Sequence, residues 1–238
     1  MKTAILVHGR HLQAVGWDRL AWGDIDSQRM GVLPEMIHVV LNIGIENVAG
    51  IFFGTGASER NGKKESVYTK YFLQYHMQQL AKFDLIKGHP RFQSSRDLVL
   101  LDRLIDKIEC DLETQNTDQE IESAARYFAG IDVRQVIQVT CGSHAPRCML
   151  AQLKARHRGD IPNFQMWSVV GDDMTFAGSE IGDVAIIEPP HRGDDPMLDA
   201  EVAAHKIFPK YYRITGKGEK IAALQAIDSV FRDFIPKR

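Results

Sequence analysis

Short apolar runs alternate along the chain with longer segments in which apolar residues recur every three or four positions. The runs at residues 3–7 (TAILV), 48–53 (VAGIFF) and 136–140 (VIQVT) are rich in β-branched and apolar residues and predict buried strands. Less regular runs predict three further strands, at residues 108–112, 163–170 and 183–187.

The segments between these runs carry the 3.6-residue period of amphipathic helices. In residues 26–43, apolar side chains repeat at helical spacing up to Gly44, and Pro34 either kinks this helix or marks its true start. Thr117 and Glu120 match the capping-box pattern Ser/Thr-x-x-Glu at a helix start. Further helices are predicted over residues 65–82, 96–107, 117–128, 144–158, 197–208 and 219–234.

Strands that alternate with helices and end at glycine turns are typical of a mainly parallel sheet with helices on both faces. The pattern therefore predicts a doubly wound α/β fold. Because the chain has 238 residues and no stretch of linker composition, we expect one domain that spans residues 1–238.

The composition, with 44% hydrophobic and 25% charged residues, is typical of a soluble globular protein. The net charge of −2 argues against a nucleic-acid-binding protein, which would usually carry a basic stripe. Three cysteines without a Cys-x-x-Cys pair indicate reduced thiols and a cytoplasmic setting. The first apolar run is too short for a signal peptide, and no run approaches the roughly 20 residues of a membrane helix. We therefore expect a cytoplasmic protein with neither a nucleic-acid nor a membrane partner; the pattern predicts no particular oligomeric state.

Four loops follow the carboxyl ends of predicted strands, the edge at which doubly wound sheets bind ligands. They are rich in glycine and in small polar and charged residues, and they cover residues 8–10, 54–56, 113–117 and 142–147. The backbone N–H groups of Gly54-Thr55-Gly56 could bind a phosphate or carboxylate, although a plain strand-to-helix turn has the same composition. The turn is neither a Walker loop nor a G-x-G-x-x-G fingerprint.

The loop at residues 142–147 predicts a helix start that presents an imidazole and a guanidinium. Ser143 would cap the helix, and His144 and Arg147, three residues apart, would lie on one face and hold an anion. His144 could also transfer protons, since its unperturbed pKa lies near neutrality. The alternative is a solvent-facing turn in which Arg147 pairs with a neighbouring carboxylate. Nearby, Cys141 is predicted as a small buried hydrophobe rather than a reactive thiol.

Carboxylates in the predicted loops after residue 170 raise the question of a metal. Such paired loop carboxylates are more often solvated, and His8 and His11 lack a third zinc ligand at a recognisable spacing. We therefore predict no metal. The carboxylates that could bind a hard cation together with His191 are Asp172, Asp173, Glu188, Asp194 and Asp195.

Five motifs resemble the YdcF/SanA/ElyC family, long catalogued as a domain of unknown function. The last two motifs are the most specific, and the match runs from about residue 3 to residue 155. The chain differs at Thr55, where the family commonly has a glycine, and at Glu120 or Ile121, where it has an asparagine. In chain order the motifs are ILVHGR, DSQRM with Arg29, IFFGTGAS followed by KKES with Glu65, ETQNTDQE with Glu113, and VTCGSHAPR with His144 and Arg147.

The resemblance is closest to the soluble YdcF-like branch, because the membrane anchor of SanA- and ElyC-like members has no counterpart here. It implies a Rossmann-like fold and the binding of S-adenosylmethionine. Residues 160–238 have no assigned counterpart in the family and form a C-terminal extension.

The composition of the four loops and the family resemblance lead to three hypotheses. In the first, the loops bind a small anionic, nucleotide-like molecule, with S-adenosylmethionine as one candidate cofactor, and a group transfer takes place there. In the second, the pocket hydrolyses or transfers a phosphate or acyl ester, with His144 as acid or base. In the third, the protein is regulatory and non-catalytic.

The site residues have separate roles in the first hypothesis. Glycines give backbone contacts and arginines neutralise phosphate or carboxylate. Glu65 and Glu113 orient the arginines or bind ribose hydroxyls. The residues predicted to bind the ligand are Gly9, Arg10, Arg29, Gly54, Thr55, Gly56, Glu113, Asn116, Thr117, Ser143 and Arg147, and those predicted to be catalytic are His144 and Glu65.

Overall fold

The computed structural model describes residues 2–14, 16–131, 133–142, 144–162 and 165–170. The strand predicted at residues 183–187 and the helices predicted at 197–208 and 219–234 lie outside this part of the chain. Ser143, His191 and the five loop carboxylates after residue 170 lie outside it as well.

The centre of the described part is a five-stranded sheet in which every pairing is parallel. Its strands are β1 (Thr3–Val7), β2 (Val48–Phe53), β3 (Glu109–Cys110), β4 (Gln135–Thr140) and β5 (Gln165–Val170). Their order across the sheet is β3-β2-β1-β4-β5. The order therefore runs outward in both directions from β1, and the switch point lies between β1 and β4.

Within the described residues, seven α-helices lie between the strands along the chain. They are α1 (Trp17–Trp22), α2 (Val32–Ile43), α3 (Glu65–His76), α4 (Asp84–Lys87), α5 (Ser95–Asp106), α6 (Thr117–Ala129) and α7 (Ala145–Arg158). Two short 3-10 helices, Ile45–Asn47 and Met77–Lys82, and two antiparallel hairpins complete the described part. The hairpins pair Gly23–Asp24 with Arg29–Met30 and Glu59–Arg60 with Lys63–Lys64.

Helices cover both faces of the sheet, because the buried residues of the strands alternate between two apolar clusters. Ile5 and Val7 of β1 pack in the first cluster with residues of α1, α2, α3 and α5. Ala4 and Leu6 pack in the second cluster with residues of α6 and α7. This arrangement confirms the predicted doubly wound α/β fold with a mainly parallel sheet.

Helix α2 is shorter than the period in residues 26–43 predicted. Residues 29 and 30 pair with residues 23 and 24 in a hairpin, and the helix begins at Val32. Pro34 lies in its first turn, where a missing N–H leaves no intrahelical hydrogen bond unmade. Pro34 therefore belongs to the start of the helix. Similarly, the helix predicted over residues 65–82 ends at His76 and continues as a 3-10 helix.

The capping box predicted for α6 is wrong. The N-cap residue is Asn116, whose side-chain oxygen accepts the N–H of Gln119 at 3.0 Å. Thr117 is the first helical residue, and its hydroxyl contacts His144 instead of the helix backbone. Glu120 likewise turns away from its own helix start, toward Gly9 and His8. Tertiary partners have overridden a local pattern that favoured a cap.

Candidate functional site

Buried polar side chains collect at the switch point, on the face that α6 and α7 cover. Leu6 of β1 lies opposite Gln138 of β4, and the residues that follow on this face are His8 and Thr140. The first turn of α6, the residue before α7 and the middle of α7 add their own polar side chains, and all of these groups are buried. We call the set the switch-point cluster: His8, Thr117, Glu120, Gln138, Thr140, His144 and Gln152.

Glu120 connects α6 to the end of β1. Its Oε2 lies 2.9 Å from His8 Nδ1, and its Oε1 accepts the backbone N–H of Gly9 at 3.0 Å. On the other ring nitrogen, His8 Nε2 lies 2.8 Å from Gln138 Oε1. Gln138 Nε2 donates in turn to Gln152 Oε1 at 2.7 Å. The four side chains therefore form one hydrogen-bonded row from α6 through the sheet to α7.

The His144 ring is held beside this row by two hydroxyls. Thr117 Oγ1 lies 3.1 Å from Nε2, and Thr140 Oγ1 lies 3.3 Å from Nδ1. The rings of His8 and His144 meet edge to face, with centroids 5.7 Å apart and planes at 71°. Because a hydroxyl contacts each ring nitrogen, the orientation of the imidazole is fixed, and directed proton transfer requires such a fixed orientation.

The glycine loops make room for buried carboxylates. A Cβ on Gly54 would lie 2.5 Å from Glu120 Oε1, and one on Gly56 would lie 2.9 Å from both carboxylate oxygens of Glu65. Neither glycine adopts a positive φ. A Cβ on Gly9 would meet Glu65 Oε2 at 2.7 Å and Glu120 Oε1 at 2.8 Å, so these two oxygens are at most 5.5 Å apart. Glycine is therefore required here by the close approach of protein carboxylates.

Glu65, the first residue of α3, binds the loop that follows β2. Its Oε1 accepts the Ser58 hydroxyl at 2.5 Å and the Ser58 N–H at 3.3 Å. Ser58 Oγ in turn accepts the N–H of Leu12 at 2.8 Å. Glu65 therefore connects the loops after β1 and β2 through Ser58. This structural contact was not part of the catalytic role predicted for Glu65.

Asp111, immediately after β3, organises the third loop. Its Oδ1 accepts the N–H groups of Glu113 and Thr114, and its Oδ2 accepts the Thr114 hydroxyl at 2.6 Å. Thr114 Oγ1 also lies 3.0 Å from the carbonyl oxygen of Thr55. The side chain of Glu113 is exposed, and Asn116 caps α6. The buried acid of this loop is thus Asp111 rather than the predicted Glu113.

The predicted arginines lie at different depths. Arg10 and Arg29 are half-buried, and Arg29 belongs to the hairpin before α2 rather than to the helix itself. Arg147 is exposed in the first turn of α7, whereas His144 is only 4% exposed. His144 and Arg147 are therefore neighbours in sequence whose side chains occupy different environments.

Five residues of the switch-point cluster were not predicted from the sequence as ligand or catalytic candidates, and neither was Asp111; the five are His8, Glu120, Gln138, Thr140 and Gln152. For His8 a signal existed, because it follows directly on the buried strand β1. Asp111 follows β3, which is only partly buried. The two glutamines offered none, since a glutamine inside a strand or helix is ordinarily a surface residue.

The ionisation of His8 is strongly perturbed by its neighbours. Burial disfavours the charged ring, but charge interactions and hydrogen bonds with Cys148 and Glu120 outweigh burial, so the pKa of His8 lies well above its ordinary value. Cys141 is buried at 1% exposure, as predicted for a small hydrophobe, and Cys148 at 0%. None of the three cysteines forms a disulfide.

Fold and cluster together define the class: a doubly wound α/β protein with a buried polar site at the switch point of its sheet. Comparisons of the chain with protein-family models, with curated proteins and with solved structures find no match. Within the described residues, no group of three or more His, Cys, Asp or Glu side chains could hold a metal ion. In the same part of the chain, no helix has the length and apolar character needed to cross a membrane.

Proposed function

We propose that the carboxyl edge of the sheet binds a small nucleotide-like molecule that carries an anionic group, with S-adenosylmethionine as the first candidate. The proposal rests on the position of the buried polar side chains in the fold. Doubly wound sheets bind ligands at the switch point, and the seven buried polar side chains of the switch-point cluster lie at that point, between β1 and β4. We further propose that the chain is a cytoplasmic protein of the YdcF-like type.

The site has buried carboxylates and, nearer the surface, arginines. This arrangement supports a ligand with hydroxyl or cationic groups at one end and an anionic group at the other. The buried groups Glu65, Glu120 and Asp111 are acidic. The arginines Arg10, Arg29 and Arg147 lie nearer the surface. Carboxylates favour hydroxyl or cationic groups, and guanidinium groups favour phosphate or carboxylate. S-adenosylmethionine carries ribose hydroxyls, a sulfonium, an ammonium and a carboxylate, and so offers groups of both kinds.

The hydroxyl of Thr55 adds independent support. Thr55 is 0% exposed, and its Oγ1 has no hydrogen-bond partner within the described residues. Buried polar groups are ordinarily paired, so an orphaned hydroxyl beside a glycine turn suits a loop that gains a partner when a ligand arrives.

A thermal-shift screen of the full chain tests the proposal. The panel contains S-adenosylmethionine, S-adenosylhomocysteine, AMP, ATP and inorganic phosphate. A ligand at 100 times its Kd stabilises the native state by about 2.7 kcal/mol, which raises the Tm by several degrees. Melting curves that stay flat across the panel would contradict the proposal.

Variants of α7 then locate the binding edge. Arg147→Ala removes an exposed guanidinium from the first turn, so it should weaken binding of the anionic end while leaving the Tm without ligand unchanged. Arg156→Ala removes an exposed guanidinium from the last turn of the same helix and serves as the control. Equal losses of ligand-induced shift in both variants would place the ligand elsewhere.

A second candidate function is group transfer or hydrolysis with His144 as acid or base. The observation that favours it is the fixed His144 ring between Thr117 and Thr140. Turnover of generic phosphate and acyl esters would be compared between the unmodified chain and His144→Ala. Equal rates would remove His144 from the mechanism, and no turnover in either protein would favour a non-catalytic binding protein.

A further inference from the structure

The hydrogen bonds of His8 restrict its protonation. Glu120 Oε2 lies on Nδ1 at 2.9 Å and Gln138 Oε1 on Nε2 at 2.8 Å, and both oxygens are acceptors. The orientation of Gln138 is supported by its neighbour, because its Nε2 donates to Gln152 Oε1 at 2.7 Å. Two acceptors on the two ring nitrogens require a proton on each nitrogen, and His8 is then an imidazolium.

A second arrangement of the same row exists. Turning over the amide groups of both Gln138 and Gln152 reverses the hydrogen bonds, and His8 Nε2 then accepts a proton from Gln138 and is neutral. The Glu120 carboxylate decides between the two arrangements. It is 3% exposed, and a buried carboxylate is strongly stabilised by a cation in direct contact. The imidazolium arrangement provides that cation.

His144 has a hydroxyl near each ring nitrogen. The hydroxyls of Thr117 and Thr140 lie 3.1 and 3.3 Å from these nitrogens, and because a hydroxyl can donate or accept, both contacts suit a neutral ring. The rings of His8 and His144 meet edge to face at a centroid distance of 5.7 Å. A positive charge at this distance disfavours a second one.

We propose that His8, held as an imidazolium by Glu120, is a positioning residue that keeps His144 neutral and therefore able to accept a proton. The inference rests on the proposed function only in giving His144 a ligand to act on. The paired environments are those of an acid–base site, in which neighbouring titratable groups are driven into opposite protonation states. His8 itself reaches no ligand in this role and acts through the His144 ring.

Several charged or titratable groups surround His8. Glu120 faces it from α6, Cys148 from α7 and His144 from the residue before α7. The carboxylate of Glu65, on α3, lies next to Gly9, the residue that follows His8. Cys148 and Glu120 favour a charged His8, and His144 is the group that must stay neutral beside it. Burial opposes the charge, yet the pKa of His8 lies well above its ordinary value.

Long-range proton–nitrogen NMR spectra of the histidine rings test the inference without any ligand, because they distinguish imidazolium from both neutral tautomers. In the full chain at pH 7 we expect an imidazolium at His8 and a neutral ring at His144. Glu120→Gln keeps the shape of the side chain and removes its charge. In this variant the titration midpoint of His8 should fall by at least about one unit.

The double variant His8→Asn with Glu120→Gln removes both charges of the pair, and it therefore avoids an uncompensated buried carboxylate if His8→Asn alone fails to fold. In it the titration midpoint of His144 should rise, because the His8 ring, which contacts the His144 ring directly, no longer supplies a positive charge. Glu35→Gln is the matched control, since Glu35 contacts His38 at 3.7 Å on α2, away from the cluster. It should leave the spectra of His8 and His144 unchanged.

Two results would overturn the inference: a neutral His8 in the unmodified chain at pH 7, or an unmoved His144 midpoint in the double variant. Both are independent of the ligand screen. If the spectra agree with the inference and the melting curves are flat, only the proposed function fails. If a ligand binds and His8 is neutral, only the inference about His8 fails.

Discussion

The two faces of the central sheet end differently, although the same strands supply both. On the face of α1, α2, α3 and α5, the carboxyl ends of the strands are still apolar, with Val7, Phe53 and Val139 in the core. On the face of α6 and α7, the same strand ends carry His8 and Thr140. One face is therefore a continuous apolar core, and the other changes from core to polar site within a few residues.

This difference between the two faces shows which of them lowers the stability of the fold. Removing apolar surface from water stabilises the fold by about 25 cal/mol per Å², whereas burying a carboxylate and an imidazole is unfavourable unless both are paired. Every charged group in the switch-point cluster has such a partner. The buried polar groups therefore contribute less to the stability of the fold than apolar residues would, and the apolar face compensates for the difference. Such an arrangement is expected of a functional site.

The largest effect should come from the apolar face. Phe83 is 1% exposed and packs against Trp22 with ring centroids 6.3 Å apart. Phe83→Ala should lower the free energy of unfolding by about 4 kcal/mol, because it removes buried surface and leaves a cavity. Tyr75→Ala, at a position 83% exposed, should change it by less than about 0.5 kcal/mol. Urea titration measures both, and a loss below about 1 kcal/mol for Phe83→Ala would contradict the assignment of stability to this face.

On the polar face, Gly54→Ala should cost about 2 kcal/mol, since the new methyl group would lie 2.5 Å from Glu120 Oε1. The control is Gly130→Ala, because Gly130 has φ −75° and its nearest neighbour is a carbonyl oxygen at 3.3 Å. That change should stay within about 0.5 kcal/mol.

A double-mutant cycle then tests the cause. In a Glu120→Ala background the clash at residue 54 is absent, so the cost of Gly54→Ala should shrink by at least about 1 kcal/mol. An unchanged cost in that background would mean that the backbone of residue 54, rather than the carboxylate, requires glycine.

The sequence predicts the frame of this molecule much better than its site. The strands at residues 3–7 and 48–53 match the structure to the residue, because a dense apolar run between turn residues fits few structures except a buried strand. The site depends on contacts between distant residues: His8 and Glu120 are 112 positions apart. Thr117 and Glu120 show the limit most clearly. Their spacing satisfies a local capping pattern, yet each side chain binds a partner that only the folded sheet brings near.

The His8–Glu120 pair also gives the polar face a dependence on pH that the apolar face lacks. Since the pKa of His8 is raised in the folded state, the pair contributes its full stability below the ordinary histidine pKa of about 6.5. That contribution is lost as the pH rises through the raised pKa. Over this range the unmodified chain should lose at least about 1 kcal/mol more than the double variant His8→Asn with Glu120→Gln.

Urea titrations at a series of pH values above neutrality measure this difference. His157→Gln, at an exposed position in the last turn of α7, is the control and should follow the unmodified chain. Parallel curves for the unmodified chain and the double variant would show that His8 is not charged in the native state.

The smallest expected effect comes from the N-cap of α6. It tests whether the stability of this helix and the ionisation of His144 depend on each other. Asn116→Ala removes the side chain that accepts the Gln119 N–H at 3.0 Å, so it should cost about 1 kcal/mol, and Asn116→Asp should recover most of that loss. Neither change touches the contact between Thr117 and His144, so the titration of the His144 ring should stay the same. A shift of that titration in Asn116→Ala would mean that the helix start and the histidine site respond together, and the polar face would then act as one cooperative unit rather than as a rigid frame with a site attached.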